Sequence, residues 1–228
     1  MNILELIIFI YFFLSLLVKS EMNKKLCTGR QVSCRNAGLS SIPWNLPKST
    51  ILNNQIAFLP RGLFSDLLSV RYLTLQRNRL SVLGSGTFWG MISLQTLNLA
   101  NNKISRISDS AFHHLENLAY LFLEGNNLTL VPSNAIGRLK NLERLSLSHN
   151  PIGSIQPFAF KGLNKLRYLS LKNVKLKCVA VNGFFGLNNL SQLILSYNDL
   201  ENINSIPICS NCSLKLKYKV HFNLFCIT

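Results

Sequence analysis

The chain has 228 residues, 48% of them apolar, with 24 basic and 9 acidic side chains and a net charge of +15. That length suits one domain of ordinary size, and the apolar content supports a continuous core. The charge bears on partners and solubility rather than on fold; it suits sulfated glycans, acidic proteins or lipid headgroups, and the N-terminus, which reads as a secretion signal, makes nucleic acid a poorer fit, so no nucleic acid partner is expected.

The chain begins with that signal. Leu6 to Val18 is an unbroken apolar run, followed by Lys19 and Ser20. It is too short for an easy membrane span, and Val18 and Ser20 are acceptable small residues ahead of a cleavage site, so residues 1–20 read as a secretory signal peptide. The alternative is an uncleaved signal anchor. Glu5 is the only charge ahead of the run, and Lys19, Lys24 and Lys25 follow it, a balance that fits the opposite orientation. No later stretch is apolar and long enough to span a bilayer. The mature chain is expected to keep its charge of +15, because Glu5 and Lys19 leave together.

Residues 21–45 carry Cys27 and Cys34 and then read RNAGLSSIPWNLP, ending just after Pro43 and Trp44. The first turn of a stacked array has no neighbour on its open edge, so a distinct segment must cover it. Cys27 and Cys34 are the candidate disulfide of this N-terminal cap. Six cysteines in a secreted chain are expected to pair. If the first two join, three pairings of Cys178, Cys209, Cys212 and Cys226 stay open.

Residues 46–208 repeat every 24 residues without an insertion. Stepping from Asn102 gives Asn54, Asn78, Asn126, Asn150, Val174 and Asn198; stepping from Phe112 gives Phe64, Phe88, Ile136, Phe160, Phe184 and Ile208. Leu99 steps to Ile51, Leu75, Leu123, Leu147, Leu171 and Leu195. The run LQTLNLANNKISRI at Leu94 is the pattern of a leucine-rich repeat, in which each unit supplies one short strand and cannot bury its apolar face alone. The predicted fold is therefore an α/β solenoid of seven turns. It has a curved parallel sheet, one strand per turn, and an irregular convex side. An asparagine amide both donates and accepts, so the Asn column is expected to satisfy backbone groups buried in each tight turn. Val174 interrupts that column and Ser49 weakens the first turn.

Strand positions between the inward leucines are expected to face the concave surface. The third-position row is Tyr72, Thr96, Tyr120, Arg144, Tyr168 and Gln192; Ala100, Ser148 and Ser170 also belong to that predicted face. Tyrosine and arginine are favoured at binding hot spots. The candidate protein-binding residues are Tyr72, Tyr120, Phe122, Arg144, Arg167 and Tyr168. The competing reading of the same residues is an ordinary sheet surface with tyrosine and arginine stacked across strands. Three N-x-S/T triplets make Asn127, Asn189 and Asn211 candidate glycosylation sites, the first two at the rim of the sheet.

The repeat pattern stops after Ile208. In residues 209–228, Leu214, Leu216, Tyr218, Val220 and Phe222 alternate with Lys215, Lys217, Lys219 and His221. This is the pattern of an amphipathic strand, which would cover the last turn. Cys209 and Cys212 have metal-ligand spacing but no second pair, so disulfide use is preferred. No nucleophile, acid–base pair or phosphate loop stands out, so neither an enzyme nor a cofactor is expected.

The runs LQRNRLSVLGSGTF (75–88), HLENLAYLFLEGNNLTLVPSNA (114–135), RLSLSHNPIGSIQPFAFKGL (144–163) and LSYNDLENIN (195–204) resemble the synleurin-type extracellular leucine-rich repeat proteins. Residues 26–48 and 55–203, about three-quarters of the chain, carry the likeness. The resemblance implies a secreted or cell-surface glycoprotein whose repeats bind a protein ligand or receptor, in receptor-type or cytokine and innate immune signalling. The Cys-rich C-terminal cap and membrane segment of that family have no counterpart after about residue 205, so the chain resembles a truncated paralogue or splice form. The alternative function is a matrix structural protein that binds anionic glycans through its basic surface.

Overall fold

The computed structural model describes residues 54–65 and 67–200, with the backbone of three short strands outside that span: β1 (Val32–Ser33), β2 (Ser49–Thr50) and β13 (Lys215–Lys217). The signal segment, most of the cap, the tail beyond β13, Asn211 and every cysteine except Cys178 lie outside the described residues. Between the two ends, six three-residue strands recur at the predicted period: β3 (Tyr72–Thr74), β5 (Thr96–Asn98), β7 (Tyr120–Phe122), β8 (Arg144–Ser146), β10 (Tyr168–Ser170) and β12 (Gln192–Ile194).

All of these strands are parallel and join in one nine-stranded sheet, ordered β1-β2-β3-β5-β7-β8-β10-β12-β13. The register advances by one repeat per strand, so Leu73, Leu97, Leu121, Leu145, Leu169 and Leu193 stand in line, all within 2% of full burial. β12 pairs in turn with β13, Leu193 beside Leu216. The expected first turn reaches the sheet through β2, where Thr50 pairs with Thr74. Five full turns lie between β3 and β12.

Behind the sheet the phenylalanine column closes the core. Phe64 stacks on Phe88 with centroids 5.9 Å apart, Phe88 on Phe112 at 6.1 Å, and Phe160 on Phe184 at 5.8 Å. The column is broken where Ile136 replaces phenylalanine, and there alone among the described turns the convex side winds into a short helix, α1 (Ser133–Ile136).

The asparagine column behaves as its chemistry requires. The Asn102 side-chain oxygen accepts from the Leu80 amide at 3.1 Å, while its nitrogen donates to the carbonyls of Leu75 and Leu99, each at 3.0 Å. Asn126 and Asn150 repeat the pattern one coil further on each time, and Asn198 repeats it two coils beyond Asn150. Val174 fills the column as an apolar plug with no exposure. The Ile152 amide, which an asparagine there would have received, donates to the Asn150 carbonyl at 2.9 Å instead. The carbonyls of Leu147 and Leu171 keep one donor each, from Asn150 and Asn198. The interruption therefore leaves no polar group stranded.

The convex side departs from the expectation of an irregular return. After each asparagine turn the chain runs extended, with Leu83, Ile107, Val131, Ile155 and Val179 in one column. Two short ladders form there: β4 (Val82–Leu83) with β6 (Arg106–Ile107), and β9 (Ser154–Ile155) with β11 (Cys178–Val179). In the first the Ser108 amide donates to the Leu83 carbonyl at 2.9 Å, and in the second Ala180 donates to Ile155 at 2.9 Å. Pro132 occupies the same place between them. It has no N–H to donate, so the ladder is cut in two there. Cys178 sits half-buried on β11 and forms no disulfide among the described residues.

Candidate functional site

The concave face is built by the strand register. Cα pairing sets Tyr72, Thr96, Tyr120, Arg144, Tyr168 and Gln192 side by side across six strands. Neighbouring strands stand about 4.8 Å apart, so adjacent members of this row are in reach of one another. Because Leu73 and its counterparts point inward, the row itself must point out. Tyr72 is 67% exposed and Tyr120 39%. Arg144 and Gln192 are exposed and Tyr168 half-buried.

The structure brings four of the candidate residues together. The Arg144 guanidinium carbon lies 4.3 Å from the centroid of the Tyr168 ring. Tyr120, Arg144, Arg167 and Tyr168 line one shallow depression of about 290 Å³, with Glu143, Ser191 and Gln192 completing it. Phe122 stands half-buried one strand residue beyond Leu121. Tyr72 lies on the same row, two strands away from Tyr120, and is not part of the depression. A second cation–π pair extends the face: Lys172 Nζ is 4.9 Å from the Tyr197 ring, which is 61% exposed. Sequence reasoning passed over this pair, although both residues recur at surface positions of the repeat. Its signal was a basic residue and an aromatic one coil apart.

The predicted face is narrower than the residue pattern suggested. Ala100 is wholly buried, and Ser148 and Ser170 are 6% and 5% exposed. Their hydroxyls bond to each other at 2.7 Å, and Ser148 Oγ also accepts from the Lys172 amide at 3.2 Å. Small residues at the curved inner edge are covered by the neighbouring coil, so only the third-position row and its longer neighbours remain open. Thr74 Oγ1 and Glu124 Oε2 are buried there without a hydrogen-bond partner among the described residues.

Both described glycosylation candidates are exposed, but they differ. Asn127 makes no side-chain hydrogen bond among the described residues. Asn189 belongs to a second amide ladder at the opposite rim, donating from Nδ2 to the Asn164 carbonyl at 2.6 Å. Asn117 and Asn141 do the same to Ile92 and Glu116 at 2.8 Å. Among the described residues no group of three histidine, cysteine or carboxylate side chains is placed to hold a metal, and no helix is long and apolar enough to cross a membrane.

Comparison with known proteins agrees with this architecture. A family model described as leucine rich repeat matches residues 50–104, 92–152 and 140–200. Human leucine-rich repeat-containing protein 70 is 46% identical over 50 residues, which is 20% of this chain and 8% of that protein. The crystal structure of human 5T4 (Wnt-activated inhibitory factor 1, trophoblast glycoprotein) superposes with a TM-score of 0.67 at 24% identity, covering 86% of this chain and 79% of that one. A chain of the octameric complex of Latrophilin 3 (Lec, Olf), Unc5D (Ig, Ig2, TSP1) and FLRT2 (LRR) gives 0.57 at 26% identity, over 76% of this chain and 62% of that one.

Proposed function

Because the chain belongs to the leucine-rich repeat family, we propose that it is an extracellular or cell-surface recognition module that binds a protein partner through its concave face. The observation that carries this reading is the pair Arg144 and Tyr168. The guanidinium rests on the ring and forms no ion pair with a carboxylate among the described residues. Such a cation–π pair contributes roughly 0.5–1 kcal/mol at an exposed site. It also presents a flat, pre-ordered surface of the two residue types that dominate binding hot spots. Tyr120 and Arg167 flank it in the same depression, Phe122 adds apolar area, and Tyr72 extends the face towards the N-terminal turns. The presence of FLRT2 in a complex with Unc5D and Latrophilin 3 supports protein partners for such a scaffold.

The remaining parts of the reading rest on sequence. The apolar run at 6–18 and the N-x-S/T triplets favour secretion, with Asn127 as the site expected to carry a sugar and Asn189 the less accessible one. The synleurin-type resemblance favours receptor-type or cytokine and innate immune signalling, in which the chain supplies binding and no chemistry.

The test is capture of partners from cell-surface extracts by the secreted chain, followed by affinity measurement. Tyr120→Ala combined with Arg144→Ala is expected to weaken binding by about 2 kcal/mol or more, at least tenfold, with an unchanged melting temperature. Retention of every captured partner by the double variant would overturn the concave face as the site.

A further inference from the structure

Away from the concave face, the convex side between residues 137 and 165 gathers Arg138, Lys140, Lys161 and Lys165, all exposed. Two of the ammonium groups are held by neutral oxygens: Lys140 Nζ donates to the Gly137 carbonyl at 2.9 Å, and Lys165 Nζ to Asn141 Oδ1 at 2.7 Å. Each keeps two further N–H groups to donate. None of the four forms an ion pair with a carboxylate among the described residues. Glu116 stands one repeat above Lys140, and Glu143 opens the sheet side of the same turn. The cluster is compact because of Gly162. A Cβ added there would come within 2.8 Å of Lys140 Nζ and collide with the Gly137 carbonyl, so the missing side chain lets the adjacent turns close and brings Lys140 beside Lys161.

The same side carries an aromatic residue that the fold does not ask for. Phe158 adopts φ +57°, at the position where Gly62 and Gly86 take +74° and +64°. A bulky side chain in that region is strained, and strain of this kind persists where the residue has a use. Phe158 is 44% exposed, packs edge-on against the exposed Phe185 at 5.3 Å, and has Lys161 Nζ 5.9 Å from its ring.

We propose that this convex patch, with Lys161 at the Phe158 ring, Arg138, Lys140 and Lys165 on the adjoining turns, and no ion pair to any of the four among the described residues, binds a sulfated polysaccharide. The cations meet sulfate groups, and a ring face offers the apolar side of a sugar a surface to stack on. The site is separate from the concave face and does not depend on it.

The experiment measures affinity of the secreted chain for heparin as a function of salt. Replacing Arg138, Lys140, Lys161 and Lys165 by glutamine is expected to lower the slope of log affinity against log salt by about 3 to 4, one for each cation that no longer meets the polyanion. The control removes the same charge elsewhere, with Arg77, Arg79, Lys103 and Arg106 all changed to glutamine, and is expected to lower it by no more than about 1. Phe158→Gly is expected to weaken heparin binding by about two- to tenfold with a melting temperature moved by no more than about 4 °C. Equal losses in the two charge sets, unchanged heparin affinity in Phe158→Gly, or tighter binding to phosphatidylserine vesicles than to heparin at the same salt would each overturn the assignment.

Discussion

The turns from 54 to 136 and those from 137 to 198 share one core but not one surface. The first set carries Arg61, Arg71, Arg77, Arg79, Lys103 and Arg106 against Asp66, Asp109, Glu116 and Glu124. The second carries nine basic residues, Arg138 to Lys177, against Glu143 alone. The leucine and asparagine columns nevertheless continue across the boundary, Ile136 fills the gap in the phenylalanine column there, and the buried leucines are equally covered on both sides. Each coil packs only on its neighbours, so the inside is held to the repeat while the outside is free to vary. The charge gathered in the second half is therefore not fixed by how that half folds.

The largest expected effect tests whether the two halves have one core. Phe88→Ala and Phe160→Ala remove stacked, fully buried rings from opposite halves, and each is expected to cost about 3–5 kcal/mol by chemical denaturation. Costs that differ by more than the measuring error would show that the halves are packed unequally. Leu123→Ala and Leu171→Ala extend the same comparison, at about 2–5 kcal/mol each.

The next prediction separates the halves at the asparagine column. Asn126→Ala leaves the Ile104 amide without its acceptor and is expected to cost about 1–3 kcal/mol. Val174→Asn is expected to change stability by less than about 1 kcal/mol, because the Ile152 amide already has a partner in the Asn150 carbonyl. A large gain from Val174→Asn would mean that the local repair is poor.

The smallest effect concerns two residues only two positions apart. Phe160 is wholly buried and Phe158 is strained and exposed. Phe158→Gly relieves the left-handed backbone, gives up the packing on Phe185 and loosens the unfolded chain, and these terms largely cancel; a net change within about 1 kcal/mol is expected. A thermal melt of this variant beside Phe160→Ala shows whether the second half's exposed aromatic serves the fold.

Much of the candidate site was legible because the sheet fixes it. Once Leu121 and Leu145 point inward, Tyr120 and Arg144 must point outward, and their register follows from equal spacing. The partners of those side chains were not legible. Arg144 has both Glu143, its chain neighbour, and Tyr168, one coil away, within choice, and only the packed sheet places it over the ring. The same holds for Ser148 and Ser170, whose positions looked open until the curvature of the sheet covered them.

The sequence by itself determined the solenoid: a period of 24 residues, kept without insertion, leaves each apolar column one partner, its own copy in the next turn. Tertiary structure decided what depends on contact between unlike residues. Pro132 cut the convex ladder, the Ile152 amide turned to its own coil beside Val174, and Gly162 let Lys140 close on its neighbours. The physical reason is that a repeated column constrains itself, whereas a break in the column is resolved only by the geometry around it.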